Sequence, residues 1–202
     1  MLLLPVLAAA LFLAACEAVE TAPDETSARS GGSAEPENSS GKRKKSTEPE
    51  NMTSGQENAL EAARRYIELS GFSKKGLIKQ LSSSAGEGFS RKDAKFAAKH
   101  VGADWKAEAV ESAQSYLDMS GFSKKGLIRQ LSSAAGDDYT RAQASYAVRK
   151  VDADWDAEAV EAAQSYLDMG GFSEQALIEQ LSSDAGEGFT LAQAQRAVAE
   201  VY

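Results

Sequence analysis

From residue 54 onward the chain repeats itself every fifty residues without a break in register, and this constrains its fold more than any other feature. Tyr66, Tyr116 and Tyr166 align, as do Gly71-Phe72-Ser73, Gly121-Phe122-Ser123 and Gly171-Phe172-Ser173. Leu77-Ile78, Leu127-Ile128 and Leu177-Ile178 follow, then Phe89, Tyr139 and Phe189, and finally Val101, Val151 and Val201. Three units result, 54–103, 104–153 and 154–202. Each must be one supersecondary element, because about 50 residues is near the lower limit for a self-sufficient core.

Within a unit the apolar spacing predicts three helices and no strand. In the second, Asp104 is placed to cap a helix with Val110, Ala113, Tyr116 and Leu117 on one face. Gly121 is expected to end it by adopting positive φ. Ser123 caps a short second helix, with Phe122 and Leu127 at the spacing of a hydrophobic staple. Leu127, Ile128 and Leu131 form its buried stripe, and Gly136 closes it. Thr140 starts the third helix with Gln143 completing a capping box; Thr190 and Gln193 repeat the pair, and Ser90 with Asp93 is a weaker variant. Ala144, Ala147, Val148 and Val151 face inward. The junctions Val101–Trp105 and Val151–Trp155 leave almost no linker, so Trp105 and Trp155 are candidate packing anchors between touching units. The expected fold is all-α, a string of three-helix, helix-turn-helix-like bundles.

The first fifteen residues, MLLLPVLAAALFLAA, carry no charge. As a helix they span roughly 22 Å, short of the ~30 Å hydrocarbon core, and read as a signal peptide rather than a membrane span. No basic residue follows Met1, a departure from the usual leader. Leu13-Ala14-Ala15-Cys16 resembles a bacterial lipobox, which implies cleavage before Cys16 and its acylation (palmitate or a similar chain), anchoring the protein on the extracytoplasmic face of the cell membrane. Residues 16–53 then form a polar tether rich in Glu, Ser, Thr, Pro, Gly and Lys, too poor in apolar side chains to offset its ordering entropy. Its run Lys42-Arg43-Lys44-Lys45 reads as a solvated patch, with anionic lipid or wall polymer as the alternative.

Composition removes several functions. One Cys and one His cannot close a tetrahedral zinc site, and a lone Cys makes no intrachain disulfide. His100 occurs in one unit only, the paired serines lie near helix ends, and Gly86-Glu87-Gly88 lacks the alternating oxygen ligands of an EF-hand. No enzyme, metal or cofactor is expected beyond the lipid on Cys16. The helix-turn-helix order raises nucleic acid as a rival through Arg91, Lys92, Lys95 and Lys99, but the third unit offers only Arg196 on the matching helix. The net charge of −8 also argues against DNA as the main partner.

The text YLDMSGFSKKGLIRQLSSAAGDDYTRAQASYAVRKVDADW resembles the host-cell surface-exposed lipoprotein family, Ltp. The resemblance covers the leader and the three units; Ala176 departs from it where Gly76 and Gly126 stand, and no third Asp-Trp follows. It implies a lipid-anchored surface protein without a catalytic motif. Phage-encoded members act in superinfection exclusion, which implies a block to DNA injection through binding of a phage tail or tape-measure component. A structural or adhesive envelope lipoprotein is the alternative.

Charge bears on the partner. Unit one carries +4, unit two 0 and unit three −9. Bundles so alike in pattern and so different in charge should not share one partner equally. Unit three is expected to capture a basic protein segment through Glu174, Glu179, Asp184 and Glu187, while unit one faces anionic surface polymer.

Overall fold

The computed structural model describes residues 51–202. The leader, Leu13–Cys16 and the tether through residue 50 lie outside the described residues. Nine helices and no strand are present among the described residues. Repeat 1 holds α1 (Ser54–Leu69), α2 (Lys74–Ser82) and α3 (Arg91–His100). Repeat 2 holds α4 (Trp105–Leu117), α5 (Lys124–Ser132) and α6 (Arg141–Val148), and repeat 3 holds α7 (Trp155–Met169), α8 (Glu174–Ser182) and α9 (Leu191–Val201).

Side-chain caps set where these helices begin. Asp104 accepts from the Lys106 and Ala107 amides, and Asp154 from those of Asp156 and Ala157. Ser73, Ser123 and Ser173 accept the N–H groups of Gly76, Gly126 and Ala176. Thr53, Thr140 and Thr190 make full capping boxes with Gln56, Gln143 and Gln193. Ser90 accepts the Asp93 amide at 3.1 Å and spends its own proton on the Asp93 carboxylate, so α3 has half a box. Each cap satisfies an amide that a helix start leaves orphaned, worth about 1 kcal/mol.

In every bundle the third helix packs against both others, while the first and second barely meet. Alanines allow this close approach: Ala59, Ala62, Ala63, Ala94, Ala97 and Ala98 are buried in repeat 1 alone. Leu77, Leu127 and Leu177, with Leu81, Leu131 and Leu181, fill the remaining volume and are fully buried. Each such leucine contributes about 1.5–3 kcal/mol. The tryptophans cross the repeat boundaries: Trp105, which opens α4, packs on the core of repeat 1, and Trp155, which opens α7, packs on that of repeat 2.

Two glycines differ from expectation. Helix α4 stops at Leu117 with Asp118 in right-handed geometry, and Gly121 has no positive φ. Gly136 likewise does not close α5, which ends at Ser132. Their need is space: a Cβ on Gly136 would lie 2.2 Å from the Gln130 carbonyl oxygen. A left-handed residue recurs further on in every unit, at Gly88, Asp138 and Gly188, and repeat 1 has another at Gly102.

Candidate partner-binding surface

The chemistry that recurs along the described residues is that of a joint. At the first one, Gly71 lies against α4 so closely that a Cβ there would be 2.4 Å from the Glu108 carbonyl oxygen. The Phe72 amide donates to the Glu108 carboxylate at 3.4 Å, and Ser112 donates to the Gly71 carbonyl at 3.0 Å. The Ser73 hydroxyl, besides capping α2, donates to the Asp137 carbonyl in the loop between α5 and α6. Lys75 and Lys79 both reach the Asp138 carboxylate at 3.0 Å.

The second joint repeats the first. A Cβ on Gly121 would be 2.2 Å from the Glu158 carbonyl oxygen, Phe122 donates to the Glu158 carboxylate at 3.1 Å, and Ser123 donates to the Glu187 carbonyl. Lys125 pairs with Asp184, and Arg129 donates to the carbonyls of Asp184 at 2.8 Å and Gly186 at 2.7 Å. Lys124 lies 5.3 Å from the Trp155 ring centre, a cation–π contact over the same seam. Both joints thus set cations of the second helix against the anionic, carbonyl-rich loop of the next bundle.

A Gln–Tyr–carboxylate triad inside each repeat, part-buried in repeats 2 and 3 and open to solvent at Glu87 in repeat 1, holds that loop. Gln80, Gln130 and Gln180 donate to the hydroxyls of Tyr66, Tyr116 and Tyr166, each at 3.0 Å. Those hydroxyls donate to Glu87 at 2.8 Å, Asp137 at 3.2 Å and Glu187 at 2.6 Å. The residue gripped by Tyr through its carboxylate is the one that offers its carbonyl to the preceding bundle. Asp137, one methylene shorter than its counterparts, is drawn inward; burial pushes its carboxyl up to about 6, against the lowering effect of the Tyr116 hydroxyl. Its second oxygen has no partner. Tyr166 is pushed up to about 12, by burial and then by Glu187. Hydrogen bonds from Lys75 and Lys79 hold Asp138 below the usual carboxylate range, and Lys125 does the same for Asp184. Burial pushes the Glu158 carboxyl up, opposed by the Phe122 amide.

The four acidic residues singled out in repeat 3 therefore separate. Asp184 and Glu187 lie at the joint with repeat 2, one paired with Lys125 and the other tied to Tyr166 and Ser123. Glu174 and Glu179 lie on α8, exposed, where repeats 1 and 2 carry Lys74, Lys79, Lys124 and Arg129. Asp154, Asp156, Glu161 and Glu200, acidic residues outside that set of four, line a shallow groove between α7 and α9 together with Arg196. Arg196 binds Asp156 through both carboxylate oxygens, at 2.8 and 2.9 Å. Their only sequence signal was the −9 of the unit, because α7 and α9 bring them together across about forty residues. No cluster of metal-ligating side chains is present among the described residues.

Three capped three-helix bundles, joined face to loop by one repeated polar interface, define a tandem helical repeat protein. The model of the host cell surface-exposed lipoprotein family matches residues 55–101, 104–151 and 154–201, and the chain belongs to that family. Among solved structures it is similar to Ltp, a superinfection exclusion protein from the Streptococcus thermophilus temperate phage TP-J34. Identity is 26% over 50% of this chain and 100% of that one, with a TM-score of 0.47. No curated protein matches the chain.

Proposed function

We propose that the protein is a lipid-anchored, non-enzymatic binder on the cell surface that excludes superinfecting phage by capturing a protein component of the phage tail before DNA enters. Membership of a family of surface-exposed lipoproteins through all three repeats carries this reading. It is supported by the charge of repeat 3, −9 on a bundle that shares its helix order and its buried leucine pair with the +4 bundle of repeat 1. In this reading Cys16 bears the acyl chain, residues 17–53 carry the bundles away from the membrane, and repeat 3 meets the partner through complementary basic side chains.

The test is plating efficiency of phages on cells that express the chain. Infection should fall while adsorption stays unchanged, and Cys16→Ala should restore infection by releasing the protein from the membrane. Unchanged plating across a broad phage panel would reject exclusion and favour a structural or adhesive role, for which the two polar joints are equally suited.

A further inference from the structure

The joint seen twice between repeats exists in a third copy that none of the described residues covers. Gly171 keeps the glycine of Gly71 and Gly121, yet a Cβ there would meet nothing within 4 Å, and its backbone is not left-handed. Neither space nor conformation within the described residues calls for glycine at this position. The Phe172 amide and the Ser173 hydroxyl proton, which at both joints find an acceptor in the next bundle, have none among the described residues. Ser173 is exposed, whereas Ser73 and Ser123 are 2% exposed. Exposed Met169 and the half-exposed Phe172 flank this face, and Tyr202 borders it, donating to the Phe172 carbonyl.

The remaining side chains of the face are altered in one direction. Lys74, Lys75 and Lys79, and Lys124, Lys125 and Arg129, become Glu174, Gln175 and Glu179. An occupant must present basic groups where a neighbouring bundle presents acidic ones. Ala176 narrows the choice further. At Gly76 and Gly126 an added Cβ would come 3.3 and 3.0 Å from the carbonyl oxygens of Asp137 and Glu187, so the Ala176 methyl pushes away a loop of that shape. A second copy of this chain is a poor occupant as well: repeat 1 would bring Glu87 toward Glu179 and has Asn58 where Glu108 and Glu158 take the Phe amide.

We propose that the end face of repeat 3 formed by Gly171, Phe172, Ser173, Glu174 and Glu179 docks a basic helix of another protein, which crosses Gly171 through small side chains as α7 crosses Gly121. This rests on the reading of repeat 3 as the partner-binding bundle and names the face that does it. The partner helix supplies an acceptor for the Phe172 amide, as Glu158 does for Phe122, a Lys or Arg near its start reaches Glu174 where Trp155 meets Lys124, and basic residues of the segment beside it reach Glu179 where the α8–α9 loop meets Arg129.

The probe is a fluorescent peptide with the sequence of residues 154–169, in which Asp156, Glu161 and Asp168 are lysine and Glu158 is retained, titrated by anisotropy into the full chain. It should bind the wild type, and Gly171→Leu and the pair Glu174→Lys with Glu179→Lys should each weaken binding at least tenfold. Gly171→Leu enters open space, so its melting temperature should match that of the wild type. Asp156→Lys, in the groove between α7 and α9, should leave binding unchanged. Full affinity of the Gly171→Leu protein overturns the proposal. Loss of binding on Asp156→Lys alone also overturns it, moving the contact to that groove while repeat 3 stays the binding bundle. Failure of the wild type to bind the peptide rejects this face as a basic-helix site, and phage plating still decides the broader function on its own. Self-association in sedimentation that Gly171→Leu abolishes would assign the face to a second copy and equally refute the proposal.

Discussion

Gly121→Ala measures what the joint between repeats 2 and 3 contributes. The new methyl carbon would lie 2.2 Å from the Glu158 carbonyl oxygen and 2.6 Å from the Ala162 amide nitrogen, whereas ordinary contact begins at 3.4 Å. Both obstacles are backbone of α7, held by its own hydrogen bonds, so the bundles must part by about 1.2 Å. At that separation the 3.1 Å bond from Phe122 to Glu158 exceeds 4 Å and is lost, leaving a half-buried carboxylate without its amide. The bond from Ser123 to the Glu187 carbonyl stretches with it. Overpacking of about 1–3 kcal/mol and about 1 kcal/mol per broken bond bring the cost to roughly 2–4 kcal/mol. For a chain of this size that is roughly 5–15 °C in melting temperature. Thermal and urea unfolding of the full chain should show the loss, with repeat 3 melting ahead of the rest as its coupling to repeat 2 fails. Gly171→Ala is the matched control: it meets no atom within 4 Å and should be neutral or slightly stabilising. Equal losses for the two variants, within about 0.5 kcal/mol, would refute the argument that close approach is what Gly121 serves.

Three further outcomes follow from the same geometry. Asp137 has a folded pKa of about 6 against 3.8 when free, so the folded state holds the proton more tightly. Its contribution is full below about pH 4 and is lost as pH rises through 6, up to about 3 kcal/mol; Asp137→Asn should flatten that slope in urea melts at pH 4–8, and an unchanged slope would show that the carboxyl is not the source. Trp155→Ala uncovers the core of repeat 2 and removes the ring under Lys124, and should cost about 2–4 kcal/mol, with Lys124→Ala alone costing no more than about 1 kcal/mol. Asp138→Gly relieves a left-handed backbone (φ 59°) at a cost-saving of about 1 kcal/mol but loses the ion pairs to Lys75 and Lys79. It should therefore be near neutral at low salt and stabilising at 1 M salt, where screening has already weakened those pairs; a loss that persists at high salt would contradict this balance.

Local signals in the sequence were legible because they act over three or four residues. Asp104, Ser123 and Thr140 cap the helices they should, and the alanine faces are buried. One tertiary pairing becomes clear only in the fold: Tyr139 bonds Ser112 at 2.8 Å, and where the other repeats have Phe89 and Phe189 they have Ala62 and Ala162. The roles of Gly121, Asp184 and Glu187 were not legible, since each depends on a residue of another bundle 36 to 64 positions away. Periodicity within a helix carries no record of such a neighbour. The retained Gly-Phe-Ser turn marked a need for glycine, and only the approach of α4 and α7 shows that the need is room rather than a left-handed turn. Asp138 in left-handed geometry was likewise hidden, because its strain is offset by lysines of the preceding repeat.

The joint also sets a rule for how such an array can lengthen. Repeat 2 carries a cationic Gly-Phe-Ser face at one side and an acidic loop with an acceptor glutamate at the other, so a tandem duplication of residues 104–153 finds a matched seam at both of its borders. Duplicating residues 154–202 does not, because the copy would bring Glu187 against Ala176 and Glu179. Repeat 2 is a cassette that can be copied in place, whereas repeat 3 cannot join to itself, so selection can change the number of bundles before it without touching the face it presents.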